Sequence, residues 1–275
     1  MAAPTLLVLS DNRSLDDRLA FEHGWSVWVD AGPHGDLLWD TGQTGVFLEN
    51  ARTLGIDPTT ARAVALSHGH HDHAGGLPEL LAAGYAGPVH AHPGVLLRRY
   101  SRRDGTTFRS IGMGDGRLAG GIPGFSPVTE TRELLPGVTI LTAIPRLPGN
   151  HEATENLFRD ATGRVPDDVP DDAFLVIAGA DGPFVLLGCC HAGLANSLAQ
   201  VKARLGLSRL AAVAGGLHLG GAGLQALEQA AATLETFGVE RLYPGHCTGQ
   251  AGLDFLRRHF SGEVTETGCG LRIRP

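Results

Sequence analysis

Short, almost wholly apolar runs alternate along the chain with polar, glycine-rich joints, and that rhythm predicts a mixed α/β protein. Residues 5–9, 25–29 and 37–39 read as strands, separated by a polar turn at 10–12 and by turn chemistry throughout 30–36. A helix is expected over 46–54, broken by Ile56-Asp57-Pro58 before the apolar run at 63–66. Further strands are expected at 89–92, 138–143, 210–214, 241–243 and 270–273, and a hairpin joins 174–178 to 184–188. Helices are expected over 77–83, 194–205, 222–237 and 251–259. Two stretches lack periodicity. Residues 100–127 are rich in glycine, serine and arginine, and 150–170 are polar and acidic, so both are expected as long loops.

Composition narrows the class. With 43% hydrophobic and 19% charged residues, the 275-residue chain has the balance of a folded globular protein, and its length suits one large α/β domain. A single domain over 1–275 is expected because candidate donors lie on both halves of the chain. The net charge of -7, with no basic run beyond two residues, argues against nucleic acid as a partner. No apolar stretch is long enough to span a bilayer, and the first residues lack the charged start of a signal peptide. Four cysteines without scaffold spacing point to reduced thiols and a cytoplasmic location. Nothing in the pattern fixes an oligomeric state.

The candidate chemistry is concentrated in Ser67-His68-Gly69-His70-His71-Asp72-His73-Ala74-Gly75, directly after the strand at 63–66. His68 and His70, two apart, share a face of an extended backbone, and the following turn brings Asp72 and His73 to a neighbouring point. Imidazole and carboxylate are donors for zinc, manganese or iron. Two more histidines stand where a strand gives way to a loop, His191 and His246. His218 has the same setting and is either a metal or substrate contact or a structural residue. Asp40 ends the strand at 37–39 and reads either as a turn residue or as an acceptor that fixes a ligand histidine.

The 68–73 stretch resembles the HxHxDH signature of the metallo-β-lactamase superfamily. Asn12, Glu22-His23-Gly24, Asp40-Thr41-Gly42, His90-Ala91-His92-Pro93, Ile144-Pro145-Arg146 with Glu152, Gly188-Cys189-Cys190-His191, Gly215-Gly216-Leu217-His218 and the stretch from Tyr243 to Gly249 extend the likeness along nearly the whole chain. Together they resemble the branch that includes the dihydropterin ribofuranosylaminobenzene phosphate synthases and the metal-dependent hydrolases of β-lactamase superfamily II. The resemblance implies a four-layer αβ/βα sandwich, where the pattern alone gives α/β. It also implies one or two ions, Zn2+ or else Mn2+ or Fe2+, with His68, His70 and His191 around one and Asp72, His73 and His246 around the other. Other superfamily members carry a Gly-Asp at the end of the hairpin strand, whose aspartate bridges two metals. Here Cys189 follows Gly188, and it is either a thiolate replacing that bridge or an inert buried thiol.

The activity implied is that of a metal-dependent hydrolase or cyclase. A metal-activated hydroxide would attack a small phosphate-bearing or ester-like metabolite, with Asp72 orienting it and carrying a proton. Arg146, Glu152, Arg109, Arg99 and Arg103 are candidates for holding an anionic substrate. Residues 100–127 are expected to form a lid or insertion over the metal cleft. Two other readings stay open: a di-iron redox protein, or a metal-binding module without turnover.

Overall fold

The computed structural model describes residues 4–118 and 120–274. In chain order the first strands are β1 (Thr5–Ser10), β2 (Ser26–Asp30), β3 (Asp36–Trp39), β4 (Ala63–Ala65), β5 (Val89–Ala91), β6 (Tyr100–Arg102), β7 (Phe108–Ser110) and β8 (Phe125–Pro127). Then come β9 (Arg132–Leu135), β10 (Val138–Leu141), β11 (Leu157–Phe158), β12 (Phe174–Ala178) and β13 (Pro183–Leu187). The last are β14 (Ala212–Gly216), β15 (Arg241–Gly245), β16 (Glu263–Val264) and β17 (Arg272–Ile273). The helices are α1 (Val46–Thr53), α2 (His71–Ala74), α3 (Leu77–Ala82), α4 (Leu194–Leu205), α5 (Leu224–Thr236) and α6 (Gly249–His259).

Seven strands in the order β17-β1-β2-β3-β4-β5-β8 make one sheet, and seven more, β16-β15-β14-β13-β12-β10-β9, make the other. Their facing sides interdigitate. Leu6, Val8, Trp25, Val27 and Trp39 of the first meet Ile140, Leu175, Ile177, Phe184 and Leu186 of the second. The residues between them point outward: Leu7, Leu9, Trp28 and Leu38 pack under α1 and α3, and Phe174, Val176, Val185 and Leu187 under α4 to α6. A strand covered on both faces needs apolar residues at every position, which explains the unbroken runs in the sequence. Each fully buried side chain of this kind contributes roughly 1.5–3 kcal/mol. The layers are therefore helix, sheet, sheet, helix. The two sheets are also tied by hydrogen bonds: the indole N–H groups of Trp25 and Trp39 both donate to the Leu187 carbonyl, at 3.1 Å each. No helix among the described residues is long and apolar enough to cross a membrane.

The topology decides where the chemistry falls. β3, β4 and β5 run parallel, as do β13, β14 and β15. Their C-terminal ends lead directly into Asp40, His68, Cys189, His218 and His246. Ligands collect at the carboxyl ends of parallel strands because side chains from several loops converge there.

Two expectations need correction. Residues 100–127 hold β6, β7 and β8, with β6 paired to β7 and β8 added to the edge of the first sheet. Residues 150–170 supply β11, which pairs with β6. Strands of two or three residues carry no readable period, and their pairing comes from tertiary contacts. The same shortness hid β16 and the single turn of α2.

Candidate metal centre

The donors are held in place from behind. Asp40 is fully buried with a left-handed backbone, φ 57°. Its Oδ1 accepts the Ser67 N–H and its Oδ2 the Ser67 hydroxyl, both at 2.7 Å, while His73 Nδ1 lies 2.7 Å from the same Oδ2. A proton on Nδ1 leaves His73 Nε2 as a lone-pair donor facing the site. His191 is fixed in the same way by the Ala153 carbonyl, 2.7 Å from Nδ1, and His246 by Asn12 Oδ1, 3.1 Å from Nδ1. Ser67 Oγ sits 2.9 Å from His68 Nδ1.

The backbone of the motif is clasped as tightly. The Gly69 N–H donates to Asp171 Oδ2 at 2.8 Å, Met113 N–H to the Gly69 carbonyl at 3.1 Å, and His71 N–H to the Ile111 carbonyl at 2.7 Å. A Cβ on Gly69 would lie 2.1 Å from the Val95 carbonyl oxygen, so no other residue fits there without displacement. α2 then turns the chain so that Asp72 and His73 point back into the site.

The free faces converge in two adjoining sets, His68, His70 and His191 in one and Asp72, His73, Cys189 and His246 in the other. His68 Nε2 and His70 Nδ1 are 2.9 Å apart, His73 Nε2 and His246 Nε2 3.0 Å, and His73 Nε2 and Cys189 Sγ 3.1 Å. Zinc–nitrogen bonds of 2.0–2.1 Å in a tetrahedron put neighbouring donors about 3.3 Å apart, close to these separations. His191 Nε2, the ring nitrogen left free by the Ala153 contact, is enclosed with no hydrogen-bond partner. Orphaned buried nitrogens are costly unless something fills the site. The donor set therefore fits a divalent ion.

For His68, His70, His191 and Asp72 the electrostatics supports the ligand state. Burial, helped by the neighbouring imidazoles, pushes His68 and His191 well below the ordinary histidine value, and burial with the Arg99 charge does the same for His70. All three are neutral, the form that binds metal. Burial opposes ionisation of Asp72, but His73, His23 and His246 outweigh it and hold the carboxyl well below its usual range. Burial likewise opposes a charged His246, yet the hydrogen bond with Asp72 raises it to about 9. Burial pushes the Cys189 thiol up.

A cavity of about 320 Å³ opens over the donors, with Asp72, His70 and His191 on its floor and Arg103 and Arg109 on its wall. Ser101, Arg103, Arg109 and Ile111 of the long segment are among its lining residues. A larger cavity of about 630 Å³ adjoins it through His218 and Gly220 and is lined by His151, Glu152 and Glu155. Two arginines are placed elsewhere. Arg146 Nη2 donates to the Asp168 carbonyl at 2.7 Å and the Val169 carbonyl at 3.2 Å, and Nη1 pairs with Glu152 at 3.7 Å. Arg99 is fully buried between Asp167 and Asp171. Both guanidinium groups thus make contacts within the loops, Arg99 fully buried and Arg146 partly exposed.

Residues that sequence reasoning gave no role also reach the site. His23 Nε2 is 3.3 Å from Asp72 Oδ2, and Asp11 and Asn12 hold the His246 backbone and ring. Cys247 joins Cys189 and His218 in a third group of donors. Asn12, His23 and Cys247 stand in stretches that carry the family likeness, and Cys247 adjoins His246, but their contacts with the donors depend on loops meeting in space.

Fold and site together define a metal-site protein built on two facing sheets, and the chain belongs to the metallo-beta-lactamase superfamily, whose model matches residues 19–246. Among its relatives is the 7,8-dihydropterin-6-methyl-4-(beta-D-ribofuranosyl)-aminobenzene-5'-phosphate synthase of Methanocaldococcus jannaschii, 26% identical over 92% of this chain and 90% of that one. Among solved structures, Tm1679, a metal-dependent hydrolase of the beta-lactamase superfamily, matches with a TM-score of 0.82 at 30% identity over 99% of both chains. A diphosphatase from the PhnP family shares the fold alone, with a TM-score of 0.55 at 15% identity over 99% of this chain and 98% of that one.

Proposed function

We propose that this chain is a metal-dependent hydrolase acting on a small anionic molecule, with a phosphate-bearing substrate favoured over a simple ester. The observation that carries this reading is the pair of abutting donor sets on the floor of a cleft walled by Arg103 and Arg109. A divalent ion there, zinc by the donor chemistry with manganese or iron(II) as alternatives, supplies Lewis acidity that activates water and polarises the bond under attack. His68, His70 and His191 would hold one ion, and Asp72, His73 and His246 a second. Arg103 and Arg109 bind and orient the anion, since guanidinium matches phosphate in charge and shape. Asp72 has a second task. Its Oδ2 lies 3.3 Å from His23 Nε2, and the His23 side chain is 61% exposed, so a proton taken at Asp72 has a route to solvent.

The M. jannaschii relative is named for a product bearing a 5'-phosphate, which supports the phosphate choice and keeps a synthase or cyclase reaction within reach of the same site. Four free thiols support a reducing, cytoplasmic setting.

The test is elemental analysis of protein purified without chelator, followed by a screen of phosphodiesters, phosphomonoesters, lactones and β-lactams. About one to two ions per chain are expected, with turnover of a phosphate ester. Arg103→Ala and Arg109→Ala should raise KM for it and leave metal content unchanged. Protein that stays metal-free and inactive after reconstitution with zinc, manganese and iron overturns the reading.

A further inference from the structure

The sulfur of Cys189 belongs to two donor sets. One holds Asp72, His73 and His246; the other holds His218 and Cys247, with all donor atoms of a set within 4.8 Å of one another. Cys247 follows His246 directly, and its thiol donates to the Cys189 carbonyl at 3.5 Å. Room for that sulfur exists because residue 216 is glycine: a Cβ there would lie 2.5 Å from Cys247 Sγ. His218 holds a left-handed backbone, φ 47°, which is rare for a residue with a side chain and concentrated at functional sites. Its Nδ1 is enclosed and has no hydrogen-bond partner. The three residues follow β13, β14 and β15, three adjacent parallel strands, so the sheet itself brings them together.

We propose that Cys189, His218 and Cys247 form a thiolate-rich site for a thiophilic divalent ion, an alternative to the Asp72 side for the second metal position. Two thiolates and one imidazole are a sufficient protein set for a zinc-like ion with one position left open. Oxygen-seeking manganese prefers the carboxylate side, whereas cobalt, zinc and cadmium prefer sulfur. The identity of the ion then decides which donors it takes, and Cys189 is the donor common to both arrangements. The inference rests on the metal reading above and goes beyond it by naming the donors and the class of ion.

The test titrates metal-free protein with cobalt(II), cadmium(II) and manganese(II), following sulfur-to-metal charge-transfer absorption and metal bound per chain. Wild type should show strong two-sulfur bands with cobalt and cadmium and, with Cys189 as the single sulfur donor, at most weak ones with manganese. Cys247→Ser should lose roughly half of the band intensity and weaken cadmium binding at least about tenfold, with manganese affinity within about twofold of wild type. His218→Gln should weaken cadmium while keeping the bands. Retained manganese binding and an unchanged circular dichroism spectrum show that each variant is folded. Wild-type cadmium bands and affinity in Cys247→Ser overturn the proposal, as does an equal loss of manganese. Metal binding without any sulfur band overturns it and leaves the hydrolase reading standing; no metal binding at all overturns both.

Discussion

Replacing Arg99 by methionine keeps most of the side-chain volume and removes the buried cation that serves Asp171, while Asp167 keeps Arg159 Nε at 3.3 Å from its Oδ1. Arg99 Nε lies 3.0 Å from Asp167 Oδ2, Nη1 donates to Asp171 Oδ2 at 3.1 Å, and Nη2 contacts Asp171 Oδ1 and the Gly94 carbonyl. Asp167 and Asp171 are each 1% exposed, so neither gains water when the cation goes. Breaking a buried pair from one side costs about 3–5 kcal/mol, because an uncompensated charge is left behind. That corresponds to a fall in Tm of roughly 10 °C. Urea unfolding at neutral pH measures it. Asp171 Oδ2 also accepts the Gly69 N–H, so the variant should bind zinc more weakly although no donor has been touched. In Arg99→Met with Asp171→Asn the second change removes a stranded charge, and the double variant should be less destabilised than the sum of the singles. A loss under about 1 kcal/mol for Arg99→Met, or strict additivity, would refute the ion-network argument.

Three further outcomes are expected. Asp40→Ala removes the acceptor of Ser67 and the partner of His73, and should weaken zinc binding about 10–100-fold in a chelator competition; unchanged affinity would make Asp40 a turn residue only. Gly69→Ala forces a Cβ against the Val95 carbonyl and should cost about 1–3 kcal/mol in denaturant unfolding and lower metal content, whereas wild-type values would show that the 68–73 loop can shift freely. Burial raises Asp172 from 3.8 to about 6, so the folded state binds that proton more tightly and its contribution to stability, present below 3.8, is lost as pH rises through about 6. Asp172→Asn removes that decline, so its stability relative to wild type should climb between pH 4 and pH 7; a flat difference would refute the assignment.

The long elements were legible because strands packed on both faces and helices packed on one leave a pattern in sequence. α4 occupies the expected residues 194–205, and β3, β12 and β13 fall where the apolar runs place them. The strand-end setting of His191 and His246 was legible for the same reason. Arg99 was not. A buried arginine and a substrate-holding arginine look alike in sequence, and only the fold shows that Asp167 and Asp171 close around it. Cys247, His23 and Asn12 entered only through the family likeness and without a role, because their proximity to the donors depends on which strands pair, information that no local window holds.

The shared acceptor of Trp25 and Trp39 has an optical consequence. Both indoles report on one carbonyl, Leu187, two residues before Cys189, at the seam where the sheets meet. The third tryptophan, Trp28, lies on the opposite face of β2 under the outer helices and serves as an internal reference. Any displacement of the β13 end by an arriving ion or ligand changes the polarity around two emitters at once and leaves the third alone. Intrinsic fluorescence is thus a gauge, already built into the molecule, of how the two halves are aligned.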